Sequence, residues 1–379
     1  VSAIVKTVSH IGLAFELGDK RAYGTARGLK TARAISLIVV ETRDGTQGIG
    51  EAWGPPKPTA AHLDAIRPYF VGASVHDREL VRQRIFDTLY HQGVENPMMA
   101  AFSGIDIALQ DIAGKEAGLP LCRLIGGRGA DSVPVYASTG YFTASPKRGL
   151  ERQIKAMAGR GFGALKIKIG RNADDDEARV KSVRRMLGPD VALMVDANAA
   201  YRTDQALESM ARIAPQRIHW YEEPVAPWDF EGYRELRGRA PMRISGGEAL
   251  YGARAFKRFI DGRSVDVVQP DLTMCGGLDE GTLVARLANL AGIGVTPHVW
   301  GGAVGLAAAI HFAAATPELP STAYPAHPNY LEFDLSENPL RDAIARAPIS
   351  AAKGMVAVPA GPGLGIELDW KAVERYRVG

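Results

Sequence analysis

Val191-Ala192-Leu193-Met194-Val195-Asp196, Ile218-His219-Trp220-Tyr221-Glu222 and Met242-Arg243-Ile244-Ser245-Gly246-Gly247-Glu248 are three short, largely apolar runs, each closed by an acid. The acids fall at even steps of 26 residues. A strand, a turn, a helix and a second turn consume about that many residues in a βα repeat. The even spacing therefore places three carboxylates on adjacent parallel strands, at the same end of the sheet. Like charges held that close repel unless a cation lies between them. A ligand set made only of oxygens suits a hard ion, and Asp196, Glu222 and Glu248 are expected to bind Mg²⁺.

The same period extends outward in both directions. Short apolar strands are expected to end near Ser138, Lys168, Asp196, Glu222, Glu248, Gln269, His298 and Glu332, with helices over 175–187, 203–213 and 278–291 among the segments between them. Eight strands with intervening helices indicate an α/β protein with a (β/α) barrel over residues 131–355. Residues 1–130 lack this repeat. There, β-branched residues over 34–42 lead through Asp44-Gly45, a hairpin signal, into a second strand over 47–52. Three helical stretches follow. The clearest starts at Asn96-Pro97 and carries Met98, Ala101, Phe102, Ile105, Ala108, Leu109 and Ile112 at helical spacing. This region reads as a small α+β domain. Residues 356–379, with a Gly361-Pro362-Gly363-Leu364-Gly365 turn, are expected to run back onto it.

The 379 residues are 46% hydrophobic and 23% charged with a formal charge of +3, ordinary for a globular protein. No basic stripe interleaved with aromatics is present, which argues against a nucleic-acid partner. The longest apolar run, 303–315, contains His311 and is too short to span a bilayer, so no membrane partner is expected. Cys122 and Cys275 are far apart and read as reduced thiols; with no leader legible at Val1-Ser2-Ala3, the expectation is a cytoplasmic protein.

In such barrels the chemistry lies at the C-terminal ends of the strands. Lys166 and Lys168 are two apart on one strand and so share a face, with Leu165, Ile167 and Ile169 turned toward the helices. Two ammoniums side by side near a metal cation lose a proton more easily, which suits one of them to act as a general base. Asp271 and His298 end neighbouring strands, where the carboxylate would fix the imidazole tautomer and raise its basicity. His298 could instead be a metal ligand, although the three carboxylates already account for the ion. Glu332, if protonated, could donate a hydrogen bond to a substrate oxygen; Asp334 shares its parity and is the alternative. Gly276-Gly277 and Gly301-Gly302 could cradle a phosphate but are read as turns.

Together Lys166-x-Lys168, Asp196-Ala197-Asn198, Glu222-Glu223-Pro224, Gly247-Glu248, the Asp271/His298 pair and Glu332 resemble the enolase superfamily, in its mandelate racemase subgroup. The resemblance covers the whole chain. It implies a modified TIM barrel, (β/α)7β, with an N-terminal α+β capping domain completed by the C-terminal tail. It further implies Mg²⁺ on Asp196, Glu222 and Glu248, and Lys168 as one acid/base with Lys166 beside it near the substrate carboxylate. The His298–Asp271 dyad becomes the second acid/base on the opposite face, and Glu332 the donor to the developing enediolate. Relatives of the muconate-lactonising type carry a catalytic lysine two positions before the Gly-Gly that follows the sixth strand; here that position is Met274. That leaves His298 as the second base. Gln269-Pro270-Asp271-Leu272, Cys275-Gly276-Gly277, Pro297-His298-Val299-Trp300-Gly301, Glu332-Phe333-Asp334 and Pro362 to Glu367 further resemble the galactarolactone cycloisomerases and acid-sugar dehydratases.

The expected reaction is removal of the proton α to a carboxylate of a sugar acid or its lactone, followed by β-elimination to a 2-keto-3-deoxy acid. Racemisation or epimerisation of a 2-hydroxy acid is the alternative chemistry, and a non-catalytic sugar-acid-binding barrel the alternative class. Substrate contacts are expected from Asn198, Trp300 and Tyr141 and from loops near 16–30 and 52–58. The resemblance also implies a homo-oligomer.

Overall fold

The structure, a computed structural model, describes residues 3–93, 95–127, 131–145, 149–317 and 328–379. The domain junction expected near residue 130 falls in 128–130, and Val1 and Ser2 lie at the start of the chain; these are outside the described residues.

The N-terminal region opens with β1 (Val5–Glu16), then a hairpin of β2 (Tyr23–Thr25) and β3 (Gly28–Lys30), then β4 (Ala32–Thr42) and β5 (Gln47–Ala52). β4 pairs antiparallel with β1 on one side and β5 on the other. β1 has no counterpart among the strands expected from the sequence. Its buried residues do not alternate cleanly with exposed ones, so the period-2 signal is weak. At the β4–β5 turn the Asp44 carboxylate accepts from the Thr46 N–H at 3.1 Å, and Gly45 takes φ 91°. Four helices follow: α1 (Pro56–Phe70), α2 (Arg78–Thr88), α3 (Met98–Ala117) and α4 (Leu121–Ile125). Asn96 and Pro97 do start α3. The Asn96 side chain accepts from the Met98 N–H at 2.8 Å, and Pro97 already has helical φ. Nearly all of α3 is buried, because β5 carries Gly48 and Gly50 where side chains would stand. A Cβ on Gly50 would lie 1.8 Å from the Gly104 carbonyl oxygen, and one on Gly48 2.0 Å from that of Ala108. Backbone therefore rests on backbone.

The barrel begins at β6 (Ser132–Thr139), followed by the short β7 (Phe142–Thr143), which joins the β2–β3 hairpin. Seven further strands alternate with helices: α5 (Leu150–Met157), β8 (Ala164–Lys168), α6 (Ala173–Leu187), β9 (Ala192–Asp196), α7 (Thr203–Ile213), β10 (Ile218–Glu222), α8 (Phe230–Arg239), β11 (Arg243–Gly246), α9 (Gly252–Asp261), β12 (Val267–Val268), α10 (Gly277–Leu290), β13 (Gly294–Val295), α11 (Ala303–Ala315) and β14 (Leu331–Asp334). The parallel order is β14-β6-β8-β9-β10-β11-β12-β13. Glu248, Asp271 and His298, expected as strand ends, lie two, three and three residues beyond β11, β12 and β13, in the loops. β12 and β13 are that short because Pro270 and Pro297 lack the N–H a continuing ladder needs. α11 is apolar and buried on almost every face, since the N-terminal region covers the side a barrel helix usually shows to water.

After β14, α12 (Pro339–Asp342) leads to a hairpin of β15 (Ala351–Ala352) and β16 (Met355–Ala357), which pairs antiparallel with the start of β6. α13 (Trp370–Tyr376) and β17 (Arg377–Val378) end the chain, and β17 forms the edge of the N-terminal sheet, order β17-β1-β4-β5. The chain's two ends thus share one sheet.

Gly50→Ala places a methyl against backbone that cannot rotate away. It should destabilise the protein by about 1–3 kcal/mol or more, read as a lower urea midpoint with an unchanged slope. An unchanged midpoint would mean that α3 is not seated on β5 as described.

Candidate active site

Register across the parallel strands brings the charged residues abreast. Lys168 pairs with Asp196, Asp196 with Glu222, and Glu222 with Ser245. Lys166 and Lys168 both point inward and are buried, at 0% and 5% exposure. Lys166 donates to Glu222 and lies 3.0 Å from Glu332; Lys168 donates to Asp196. Ligand oxygens of Asp196, Glu222 and Glu248 all lie within 4.8 Å of one another.

These groups hold a surplus of negative charge out of water. Asp196, Glu222, Glu223, Glu248 and Glu332 stand against Lys166, Lys168 and His298. Burial and the neighbouring carboxylates push Glu222 up to about 8 against the pull of Lys166. Burial also raises Glu248, with His298 opposing it. Asp196 is held down: burial works against it, but Lys168 and Lys166 outweigh burial. The Lys168 ammonium is held above its usual range because Asp196 outweighs its burial. With no ion among them, the carboxylates that lie on each ammonium outweigh the repulsion between the two adjacent lysines. Glu332 carries its charge in the same ion-free setting. Burial would raise it, but Lys166 and His298 hold it down at about 2.

The trio fits a divalent ion. Among the described residues Glu248 Oε2 is buried without a hydrogen-bond partner, and the candidate ligand atoms are all hard oxygens. The remaining oxygens are fixed from behind. Glu222 Oε2 accepts from Gln269 at 2.7 Å and from the Trp220 indole at 3.1 Å, and Asp196 Oδ1 accepts from the Asn198 N–H at 2.8 Å. Gln269 was legible only as a polar strand end; its role depends on reaching across to β10.

His298 Nδ1 lies 2.7 Å from Asp271 Oδ2, while the other Asp271 oxygen accepts from the Thr273 N–H and hydroxyl at 2.8 and 2.6 Å. The free face of the imidazole, Nε2, looks at Glu248 at 3.5 Å and Glu332 at 3.8 Å. Burial would lower His298, but Glu248, Glu332 and Asp271 carry it up to about 10. Lys168 and His298 thus approach from β8 and from the loop after β13, with the carboxylates between them.

Asn198 takes φ 46° at the rim, and its Oδ1 has no hydrogen-bond partner among the described residues. Tyr141 lies beside Lys168, its ring centroid 5.5 Å from Nζ. Trp300 donates its indole N–H to the Tyr141 hydroxyl at 3.1 Å, and that hydroxyl donates to Asp334 at 2.9 Å. Asp334 is further engaged by Arg33 at 3.2 Å, Arg341 at 3.3 Å and Ser336 at 2.5 Å. It is the hub of a structural network, and Glu332 is the residue of this strand that lies against Lys166 and His298.

Two family models match: "Enolase C-terminal domain-like" over residues 149–372, and "Mandelate racemase / muconate lactonizing enzyme, N-terminal domain" over residues 18–126. The chain is 39% identical over 349 residues to the D-galactarolactone cycloisomerase of Agrobacterium fabrum, covering 91% of this chain and 92% of that one. It superposes on the 3,6-anhydro-D-galactonate cycloisomerase of Zobellia galactanivorans with TM-score 0.89 at 31% identity, over 100% of both chains. The L-talarate/galactarate dehydratase of Salmonella typhimurium LT2, liganded with Mg and L-lyxarohydroxamate, superposes with TM-score 0.88 at 25% identity, over 100% of this chain and 94% of that one.

Glu222→Gln removes one ligand charge and leaves the shape of the site. Binding of Mn²⁺, used as a paramagnetic probe, should weaken by at least about 100-fold, the upper end of what losing an outer-shell partner costs, while the circular dichroism spectrum is unchanged. Unaltered Mn²⁺ affinity would remove Glu222 from the ion site.

Proposed function

The chain belongs to the mandelate racemase / muconate lactonizing enzyme family of the enolase superfamily, and on that premise we propose that this enzyme removes the proton α to the carboxylate of a sugar acid or its lactone, followed by β-elimination to a 2-keto-3-deoxy acid. The observation that carries the reading is the placement of two groups able to transfer a proton, Lys168 and the His298–Asp271 pair, on either side of a largely buried carboxylate trio. A site that only bound a sugar acid would need one cation and no second base.

Asp196, Glu222 and Glu248 would hold Mg²⁺, the ion named with the Salmonella dehydratase. When bound, the ion draws electron density from the substrate carboxylate and offsets the charge that otherwise holds Lys168 protonated. A lysine or histidine base working beside Mg²⁺ is the general arrangement of enolase-superfamily sites. One of Lys168 and His298 takes the α-proton at Nζ or Nε2. The other returns a proton, either to the departing oxygen or to carbon. Asp271 fixes the His298 tautomer through Nδ1, so that Nε2 is the atom that exchanges protons. Lys166, between Glu222 and Glu332, supplies positive charge beside the substrate carboxylate. If the departing oxygen is a hydroxyl, the enzyme is a dehydratase; if it is a lactone ring oxygen, a cycloisomerase. The similarity to a galactarolactone cycloisomerase over nine-tenths of both chains favours an acid-sugar substrate, as does a rim whose polar side chains outnumber the aromatic pair Tyr141 and Trp300. We place the enzyme in the cytoplasm, where sugar acids are broken down and thiols such as the buried Cys122 and Cys275 stay reduced. Among the described residues, no helix is long and apolar enough to cross a membrane.

A panel of sugar diacids, monoacids and lactones, incubated in D₂O with Mg²⁺ and followed by NMR, should yield a 2-keto-3-deoxy acid carrying solvent deuterium, and EDTA should abolish it. Recovery of an unchanged skeleton with an inverted α-centre would establish racemisation instead.

Lys168→Ala and His298→Asn should each lower turnover by about 10² to 10⁴, and in different ways. One variant should stop α-proton exchange with D₂O. The other should keep exchanging while failing to form product. Wild-type turnover in both variants would dismiss the two-base mechanism.

A further inference from the structure

The loop that carries His298 into α11 is fastened from outside the barrel. The Arg33 guanidinium, on β4, donates to the Trp300 carbonyl at 2.5 Å and stacks 3.7 Å from the centre of the Trp300 ring. Glu51, on β5, accepts from the Gly302 N–H at 2.6 Å with one oxygen and from the Gly305 N–H at 2.9 Å with the other. Asn338 donates to the Gly301 carbonyl at 2.7 Å. Two residues beyond Glu51, the Trp53 N–H donates to the Thr273 carbonyl at 2.9 Å. Thr273 is the residue whose own N–H and hydroxyl hold Asp271. The end of one N-terminal strand therefore reaches both halves of the His298–Asp271 pair.

Glu51 and Arg33 are buried, at 0% and 3% exposure. A buried carboxylate is costly unless its acceptors are filled. Burial lifts Glu51 to about 7, and the two backbone N–H groups pull it back. The glycines make the contact possible. A Cβ on Gly301 would stand 2.2 Å from Glu51 Oε1, and one on Gly302 2.6 Å from Ile35 Cδ1 and 2.8 Å from the Leu340 carbonyl. Lys168 has no such dependence, because its backbone lies within the β8–β9 ladder.

We propose that the end of β5 is a positioning device for the His298–Asp271 pair and that Glu51 is the side chain through which it acts. Glu51 does not touch substrate. It sets where the loop, and with it Nε2 of His298, stands relative to the carboxylate trio. The half of the reaction that His298 performs depends on it; the half that Lys168 performs does not. The inference rests on the reading of His298 as an acid/base group.

The test is Glu51→Gln in the full-length protein, which has one acceptor oxygen and an NH₂ where the second oxygen was, leaving Gly302 or Gly305 without its partner. Asp111→Asn is the control. Asp111 is an equally buried N-terminal-domain carboxylate that holds Ile49, earlier on β5, and Leu364 of the tail without touching the His298 loop. With ring-labelled histidine, the His298 resonance, identified by its absence in His298→Asn, should shift or broaden in Glu51→Gln and stay in place in Asp111→Asn. On a substrate that the wild type turns over, Glu51→Gln should lower the step lost in His298→Asn by about 10- to 100-fold, more in kcat than in KM. The step lost in Lys168→Ala should stay within about threefold of wild type, well under that range. If Glu51→Gln does not fold, Gly301→Ala disturbs the same contact from the loop side and should give the same pattern. An unmoved His298 resonance, an equal shift in Asp111→Asn, or equal loss of both steps overturns the proposal. Absence of turnover on every sugar acid would overturn the functional reading alone, since the resonance still decides the role of Glu51.

Discussion

The constraint on which the structure turns is the burial of surplus negative charge at one rim of a parallel barrel. Asp196 and Glu222 stand abreast in register, and Glu248 and Glu332 close in from either side. Carboxylates removed from water at such distances are tolerated only with cations among them. The lysines on β8 supply part of that charge, and His298 supplies more. A divalent ion on the trio would complete the balance, and the electrostatics of the site suit one before any reaction is considered. The same compensation ties the groups together, since each ammonium is held protonated by the carboxylate it neutralises.

The N-terminal domain meets the helices around this rim with charges of its own. Asp106 on α3 accepts from the Leu278 and Asp279 N–H groups at 2.6 and 3.3 Å, at the start of α10. Glu51 does the same for α11. Both helices begin at a glycine pair, Gly276-Gly277 and Gly301-Gly302, whose missing side chains admit the carboxylates; a Cβ on Gly277 would lie 2.2 Å from Asp106. The first turn of a helix carries unsatisfied N–H groups and a partial positive charge. Here the protein's own acids occupy the position that a phosphate takes in other folds. These contacts join the two domains near the site without relying on apolar area alone.

Much of this was legible in the chain. The even spacing of Asp196, Glu222 and Glu248 needs only the length of a βα repeat to become adjacency, and the alternation of Lys166 and Lys168 with Leu165, Ile167 and Ile169 is enough to turn both lysines inward. The α3 start at Asn96-Pro97 and the β4–β5 turn at Asp44-Gly45 are local chemistry, written in adjacent residues. β1 was not legible, because its burial does not follow a period of two. β11, β12 and β13 end earlier than the sequence suggests, because polar loop residues that face the site look like the last residues of a strand.

What the sequence by itself determined was therefore the periodic part: the barrel, the order of its strands, and which side chains a repeat of constant length brings to one rim. Tertiary structure alone decided the rest. Glu51 meets Gly302 across 251 positions, and Arg33 meets Asp334 across 301; no local pattern encodes a contact at that separation. Nor does a sequence weigh one charge against another. Glu332 reads as a possible donor and Lys168 as a possible base, but their protonation depends on distances to Lys166, His298 and Asp196, and those exist only once the strands lie side by side in register.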